Sequence, residues 1–107
     1  MYVIGWGATT GDPDDGLNIF HTRAFGAPGN RTFLSDPEVD RLIDAARMEI
    51  NPVVREQMYI DAQKIIHAQA PWLYLLENEH LIAARNNVKG FVINPAGHQP
   101  LWTIYFE

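Results

Sequence analysis

The chain has 107 residues and no cysteine, and its 13 Asp and Glu outweigh 8 Lys and Arg to leave a formal charge of −5. That length allows one domain with a modest core, and the lack of cysteine excludes disulfides, thiolate metal sites and Cys nucleophiles. The cations are scattered, so the clustered charge that nucleic acid or an anionic membrane surface demands is missing. No stretch reaches the roughly 20 apolar residues of a membrane span. Met1–Gly5 has neither the basic nor the apolar region of an export leader, so an exported form would carry its leader outside these residues.

Tyr2-Val3-Ile4-Gly5-Trp6-Gly7 is β-branched and aromatic and reads as a buried strand. From Gly7 to Ser35 the chain is rich in Gly, Pro, Asp, Asn and Thr, interrupted by apolar Leu17, Ile19 and Phe20. An irregular segment of this length inside a compact domain is usually functional, so it is expected to bear the site. Two helices follow, over about 37–48 and 53–69. Asp36-Pro37-Glu38 is a start signal, with Asp36 as cap and Pro37 at the first helical position, and Val39, Leu42, Ile43 and Ala46 form one apolar face. Asn51-Pro52 repeats the signal, and Val54, Met58, Ala62, Ile65, Ile66 and Gln69 make a second stripe that Pro71 ends. Burial is expected for Leu42, Ile43, Met58, Ala62, Ile65 and Trp72. Four strand-like runs complete the chain: Trp72–Leu76, Leu81–Ala84, Gly90–Ile93 and Leu101–Phe106, separated by polar turns such as Arg85–Asn87 and Asn94–Gly97. The expected class is α+β, two consecutive helices packed on short strands.

Several motifs invite chemistry and fail its requirements. Asp12-Pro13-Asp14-Asp15-Gly16 has acids where a calcium loop starts, but Gly16 and Leu17 stand where that loop needs an oxygen ligand and a glycine. It reads as an acidic turn. His21, His67, His80 and His98 show no metal-binding spacing, and His67 near a helix C-terminus suits the dipole. Ser35 is the only serine and lacks a nucleophile elbow. No enzymatic role, metal or cofactor is expected.

The most informative local feature is Gly5-Trp6-Gly7 followed by Thr9-Thr10-Gly11-Asp12. A Trp between glycines offers a ligand a rigid apolar wall and close backbone approach. Hydroxyls at Thr9 and Thr10 supply polar contacts of the kind small-molecule sites use. A core Trp followed by a plain turn explains the same residues. Trp6, Thr9, Thr10 and Asp12 are the candidate ligand-binding residues.

Taken in order, these segments resemble the C-terminal portion of the dipeptide/oligopeptide/nickel solute-binding family. The residues that carry the resemblance are Gly5-Trp6, Gly11-Asp12-Pro13-Asp14, Asn30, Asp36-Pro37-Glu38-Val39-Asp40, Leu42-Ile43, Arg55, Tyr59, Ala62-Gln63, Ile65-Ile66, Ala70-Pro71-Trp72 and Val88-Lys89-Gly90-Phe91. The resemblance implies a much longer, two-lobed extracytoplasmic receptor, periplasmic or anchored as a lipoprotein. Such a receptor closes over a peptide or peptide-like ligand and delivers it to an ABC importer permease. It further implies that residues 1–78 belong to the second lobe and residues 79–107 cross back toward the first, with the remainder of the chain upstream. Apolar surface is then left uncovered on this piece alone. Peptide-binding members often carry an Asp three residues after this Trp, where it meets the ligand's α-ammonium; here that position is Thr9, in a Thr-Thr-Gly-Asp run closer to glutathione-type and modified-dipeptide receptors. The rival expectation is a free-standing interaction domain that dimerises through its strands.

Overall fold

The computed structural model describes residues 3–26, 28–77, 79, 81–94 and 96–107. A short helix α1 (Pro13–Leu17) leads into two 3₁₀ turns, Asn18–Phe20 and Thr22–Ala24. The long helices α2 (Pro37–Met48) and α3 (Pro52–Gln69) follow, and then strands β1 (Val88–Lys89) and β2 (Tyr105–Phe106).

Both helix starts rest on the predicted caps. The Asp36 carboxylate accepts from the backbone N–H groups of Glu38 (2.8 Å) and Val39 (3.1 Å), pairing two donors that the first turn leaves free. Asn51 does the same for Val53 at 3.0 Å and Val54 at 3.4 Å. α3 ends at Ala70, which turns into the left-handed region at φ 45° just before Pro71. The Gln69 amide donates to Asp36, so the end of α3 is tied to the start of α2 and the pair runs as an antiparallel hairpin.

The core lies between this hairpin and the segment around α1. Val39, Ile43 and Ala46 from α2 and Tyr59 and Ile66 from α3 close over Leu17, Ile19 and Phe20. Phe20 meets Trp72 at 5.0 Å between ring centroids. Leu42, Ile43 and Ala62 are buried as the stripes require, whereas Met58, Ile65 and Trp72 are only half-buried. Tyr59 takes a core place that the stripe did not assign to it, because its ring packs inward while its hydroxyl reaches Arg55.

The long segment is less irregular than its composition suggests. Asp12 caps α1 by accepting from Asp14 N–H at 2.8 Å, and Asn30, fully buried, donates to the carbonyls of His21 and Leu34. Buried backbone must find partners somewhere, and here side chains supply them.

The strand expectations need correction. Residues 3–7 form no strand, Val3 and Trp6 are exposed, and Tyr2 of that expected strand lies outside the described residues. Trp72–Leu76, Leu81–Ala84 and Gly90–Ile93 enter no ladder, and their large apolar side chains are mostly exposed. Pro95, in the turn after the third run, is outside the described residues. Among the described residues one ladder joins Val88 to Phe106 and Lys89 to Tyr105, antiparallel, so of the expected run Leu101–Phe106 only its last two residues pair, Trp102 and Thr103 lying in a turn. The helices therefore pack chiefly on each other and on the 13–24 segment rather than on strands. A β pattern reports what a segment can bury, not which chain pairs with it. The radius of gyration is 17.6 Å, against about 13 Å for a compact domain of this size.

Candidate functional site

Three acid–base clamps hold α1 and its neighbours to the helical hairpin. Arg55 on α3 places Nη2 at 2.8 and 2.9 Å from the two carboxylate oxygens of Asp12, and donates Nε–H to the Ala46 carbonyl at the end of α2. Its third acceptor is the Tyr59 hydroxyl at 3.2 Å. Arg47 on α2 grips Asp14 through a two-point fork at 2.7 and 2.9 Å, a planar match that lysine cannot reproduce. The same guanidinium donates to Asn18. Asp40 accepts from Thr22 N–H, and Asp44 accepts from Arg23. His21, buried between them, accepts from Arg23 N–H through Nδ1 and faces Asp44 through Nε2.

Against this frame lies a groove of about 940 Å³, bounded by Trp6 and Gly7 on one side and by α3 on the other. Phe20, Ile66 and Trp72 form its apolar floor, with Gln63, Lys64 and His67 along the α3 wall. His67 stacks on Tyr74 at 5.8 Å with the rings nearly parallel. The size is that of a small-molecule site, apolar with few polar groups.

The four predicted site residues fall into two sets. Trp6 and Asp12 line the groove. Trp6 donates its indole N–H to the Asp15 carbonyl at 3.0 Å, so the polar edge of the ring is engaged with the protein. The Asp12 carboxylate faces Arg55, whose hydrogen bond holds its carboxyl below the usual carboxylate range. Thr9 and Thr10 do not line the groove; their hydroxyls donate to Asp15 Oδ2 at 3.2 and 2.6 Å. Those bonds, the Thr10 hydroxyl first, lower the Asp15 carboxyl as well.

No family model matches the chain. It is 35% identical over 96 residues to di/tripeptide-binding protein 4 of Pseudomonas aeruginosa, covering 89% of this chain and 18% of that protein. It is 36% identical over 94 residues to the probable D,D-dipeptide-binding periplasmic protein DdpA of Escherichia coli, covering 87% of this chain and 18% of the relative. The glutathione-binding protein GsiB of Pectobacterium atrosepticum shares 31% over 97 residues, 89% of this chain and 19% of its own length. The chain matches the C-terminal part of solute-binding proteins of ABC importers.

These solute-binding relatives are each about five times as long as the stretch they share, since the chain spans only 18–19% of them. Within the shared stretch, sequence reasoning named Asp12 and Arg55 separately and missed that they form a pair, 43 positions apart. It also missed Asp15 as the residue on which Trp6, Thr9 and Thr10 converge. The sequence pairs Arg47 locally only with Asp44, three positions back, and says nothing of Asp14 and Asn18, which stand 33 and 29 positions away. Among the described residues no three His, Cys, Asp or Glu side chains gather as a metal site, and no helix is long and apolar enough to cross a membrane. His80 lies outside the described residues.

Proposed function

We propose that this chain is the C-terminal part of an extracytoplasmic receptor that captures a peptide or peptide-like ligand and passes it to the permease of an ABC importer. The observation that carries the reading is the match over nearly nine-tenths of the chain to several binding proteins of which it covers less than a fifth. The geometry supports it from a second direction. α3 carries apolar residues around most of its surface: Tyr59, Ala62 and Ile66 are buried on the hairpin, while Val53, Val54 and Ile60 stand exposed. A helix apolar on several faces belongs inside a larger body. After α3, Leu81 is 90% exposed on chain outside any ladder, and Trp102 is 87% exposed in the turn before β2, apolar surface of the kind that a larger body covers.

In this reading residues 1–78 form part of the second lobe and residues 79–107 return toward the first. The upstream remainder of the chain covers the exposed runs. Trp6 supplies an apolar wall to the ligand and Asp12 lies beside it on the same side of the cleft, with Thr9 and Thr10 behind them on Asp15. Capture is a shift of population toward a closed form that the ligand fits better, and no bond is made or broken. A free-standing interaction domain is the less favoured reading, since it leaves the match to the longer receptors unexplained.

The test is calorimetry on the full-length protein carrying these residues, titrated with tri-alanine, D-Ala-D-Ala and glutathione, beside the 107-residue piece. Binding by the full-length protein, weakened by Trp6→Ala, and no heat from the piece alone are expected, since half a cleft buries too little of a ligand. Micromolar binding by the isolated piece would refute the two-lobed site.

A further inference from the structure

The hydrogen bonds that tie residues 3–10 to the rest of the molecule gather at one residue. Among the described residues this segment makes no backbone–backbone hydrogen bond to the body. Its side-chain hydrogen bonds and that of the Thr10 N–H all converge on Asp15, apart from the Thr10 hydroxyl, which also accepts from Asp12 N–H at 3.2 Å. Three donors meet on a single carboxylate oxygen: Thr9 Oγ1 at 3.2 Å, Thr10 N at 3.1 Å and Thr10 Oγ1 at 2.6 Å. The carbonyl of the same residue takes the Trp6 indole N–H at 3.0 Å. Asp15 itself cannot drift, because the acids beside it in α1 and at its cap are held by Arg47 and Arg55 and because Leu17 is buried.

We propose that Asp15 is the positioning residue of the site, setting the pose of Trp6, and that Thr9 and Thr10 serve the ligand through Asp15 rather than by touching it. The proposal builds on the reading of Trp6 as a ligand wall. An indole anchored by its N–H on one side presents only its apolar face and edge to the groove, and it does so without having to be ordered when ligand arrives. Ordering a free side chain at binding costs affinity, and pre-placing it removes that cost. The hydroxyls at Thr9 and Thr10 are therefore spent within the protein, since a charged acceptor holds a donor more strongly than a neutral ligand group does.

The experiment uses the full-length protein labelled with 5-fluorotryptophan, the Trp6 signal being assigned by its loss in Trp6→Phe. Asp15→Ala keeps the backbone carbonyl that accepts the Trp6 indole N–H but frees Thr9 and Thr10 from the carboxylate, so the segment that carries Trp6 loosens. The signal should move toward the position of free fluorotryptophan, and indole N–H exchange should speed by about two- to tenfold, the range for a weakening equal to one ordinary hydrogen bond. Asp15→Asn keeps the shape and one acceptor oxygen and should recover part of the shift. An unmoved Trp6 signal in Asp15→Ala overturns the proposal. Tri-alanine affinity is then measured in a cycle of Asp15→Ala and Trp6→Ala. Asp15→Ala should weaken binding several-fold with Trp6 present and have no further effect without it, which is the coupling expected of residues acting as one unit. Equal losses in both backgrounds would mean that Asp15 contacts the ligand or supports the whole lobe, and would overturn the proposal too. If the Trp6 signal responds while Trp6→Ala leaves affinity for every probe unchanged, Asp15 still positions Trp6 and it is the ligand role of Trp6 that falls.

Discussion

Arg55 is the residue whose loss should do most damage per atom removed. Its guanidinium serves Asp12, the Ala46 carbonyl and the Tyr59 hydroxyl at once, and lies 5.1 Å over the Tyr59 ring. In Arg55→Ala the Tyr59 hydroxyl, on a residue only 2% exposed, loses its donor; leaving a buried polar group unpaired costs about 1–3 kcal/mol. The Asp12 pair is substantially exposed and screened by solvent, so it adds little to that. A total near 2 kcal/mol corresponds to roughly 30-fold easier local opening. Hydrogen exchange of residues 12–24 in the full-length protein should accelerate by about that factor. Arg55→Lys keeps the charge but not the three-way reach and should recover a minor part. Adding Tyr59→Phe to Arg55→Ala should return some of the lost protection, because the orphaned hydroxyl goes with it. Exchange within twofold of wild type in Arg55→Ala would show that the clamp contributes nothing and refute the reasoning.

Asp12, Asp15 and Asp36 have carboxyls held below their ordinary value, by the Arg55 hydrogen bond, the Thr10 hydroxyl and the Val39 N–H respectively. Depressed carboxyls stabilise fully above about pH 4 and lose that contribution as pH falls through their folded values; acid titration followed by circular dichroism should show it. Asp36→Asn keeps the cap, and Gln69 can turn its amide to accept, so stability at neutral pH should hold while the acid sensitivity due to this residue disappears. Ala70→Gly relieves a left-handed alanine at φ 45°, a gain of about 1–2 kcal/mol offset by the entropy glycine adds to the unfolded chain. The thermal midpoint should stay level or rise, and a clear fall would contradict the assigned helix end. Thr9→Asp sets a second carboxylate beside Asp15, where Thr9 Oγ1 now lies 3.2 Å from Oδ2. A ligand ammonium would relieve that repulsion, so N-acetylation of a peptide should cost more affinity in the variant than in wild type. A wild-type penalty of about a hundredfold or more would instead mean that a carboxylate already holds the amine, a loss of the size expected when a charged partner is left unpaired.

Where the determinants are local, the sequence by itself was enough. Asp36-Pro37 and Asn51-Pro52 mark the starts of α2 and α3 because capping is settled within three residues. Val39, Leu42, Ile43 and Ala46 share a buried face because helical periodicity puts them there. The family likeness was legible for the same reason: it lies in ordered short motifs. Strands were not legible, since Trp72–Leu76 and Leu81–Ala84 have the composition of strands but strand formation needs a partner that composition does not name. The candidate site divides in the same way. Trp6 between two glycines announced itself, whereas the pairs Asp12–Arg55 and Asp14–Arg47 bring together residues 43 and 33 positions apart. Only the packing of α1 across the helical hairpin decides which acid meets which guanidinium. The same packing turns Thr9 and Thr10 toward Asp15, because three donors gain more from one fixed carboxylate than from open solvent.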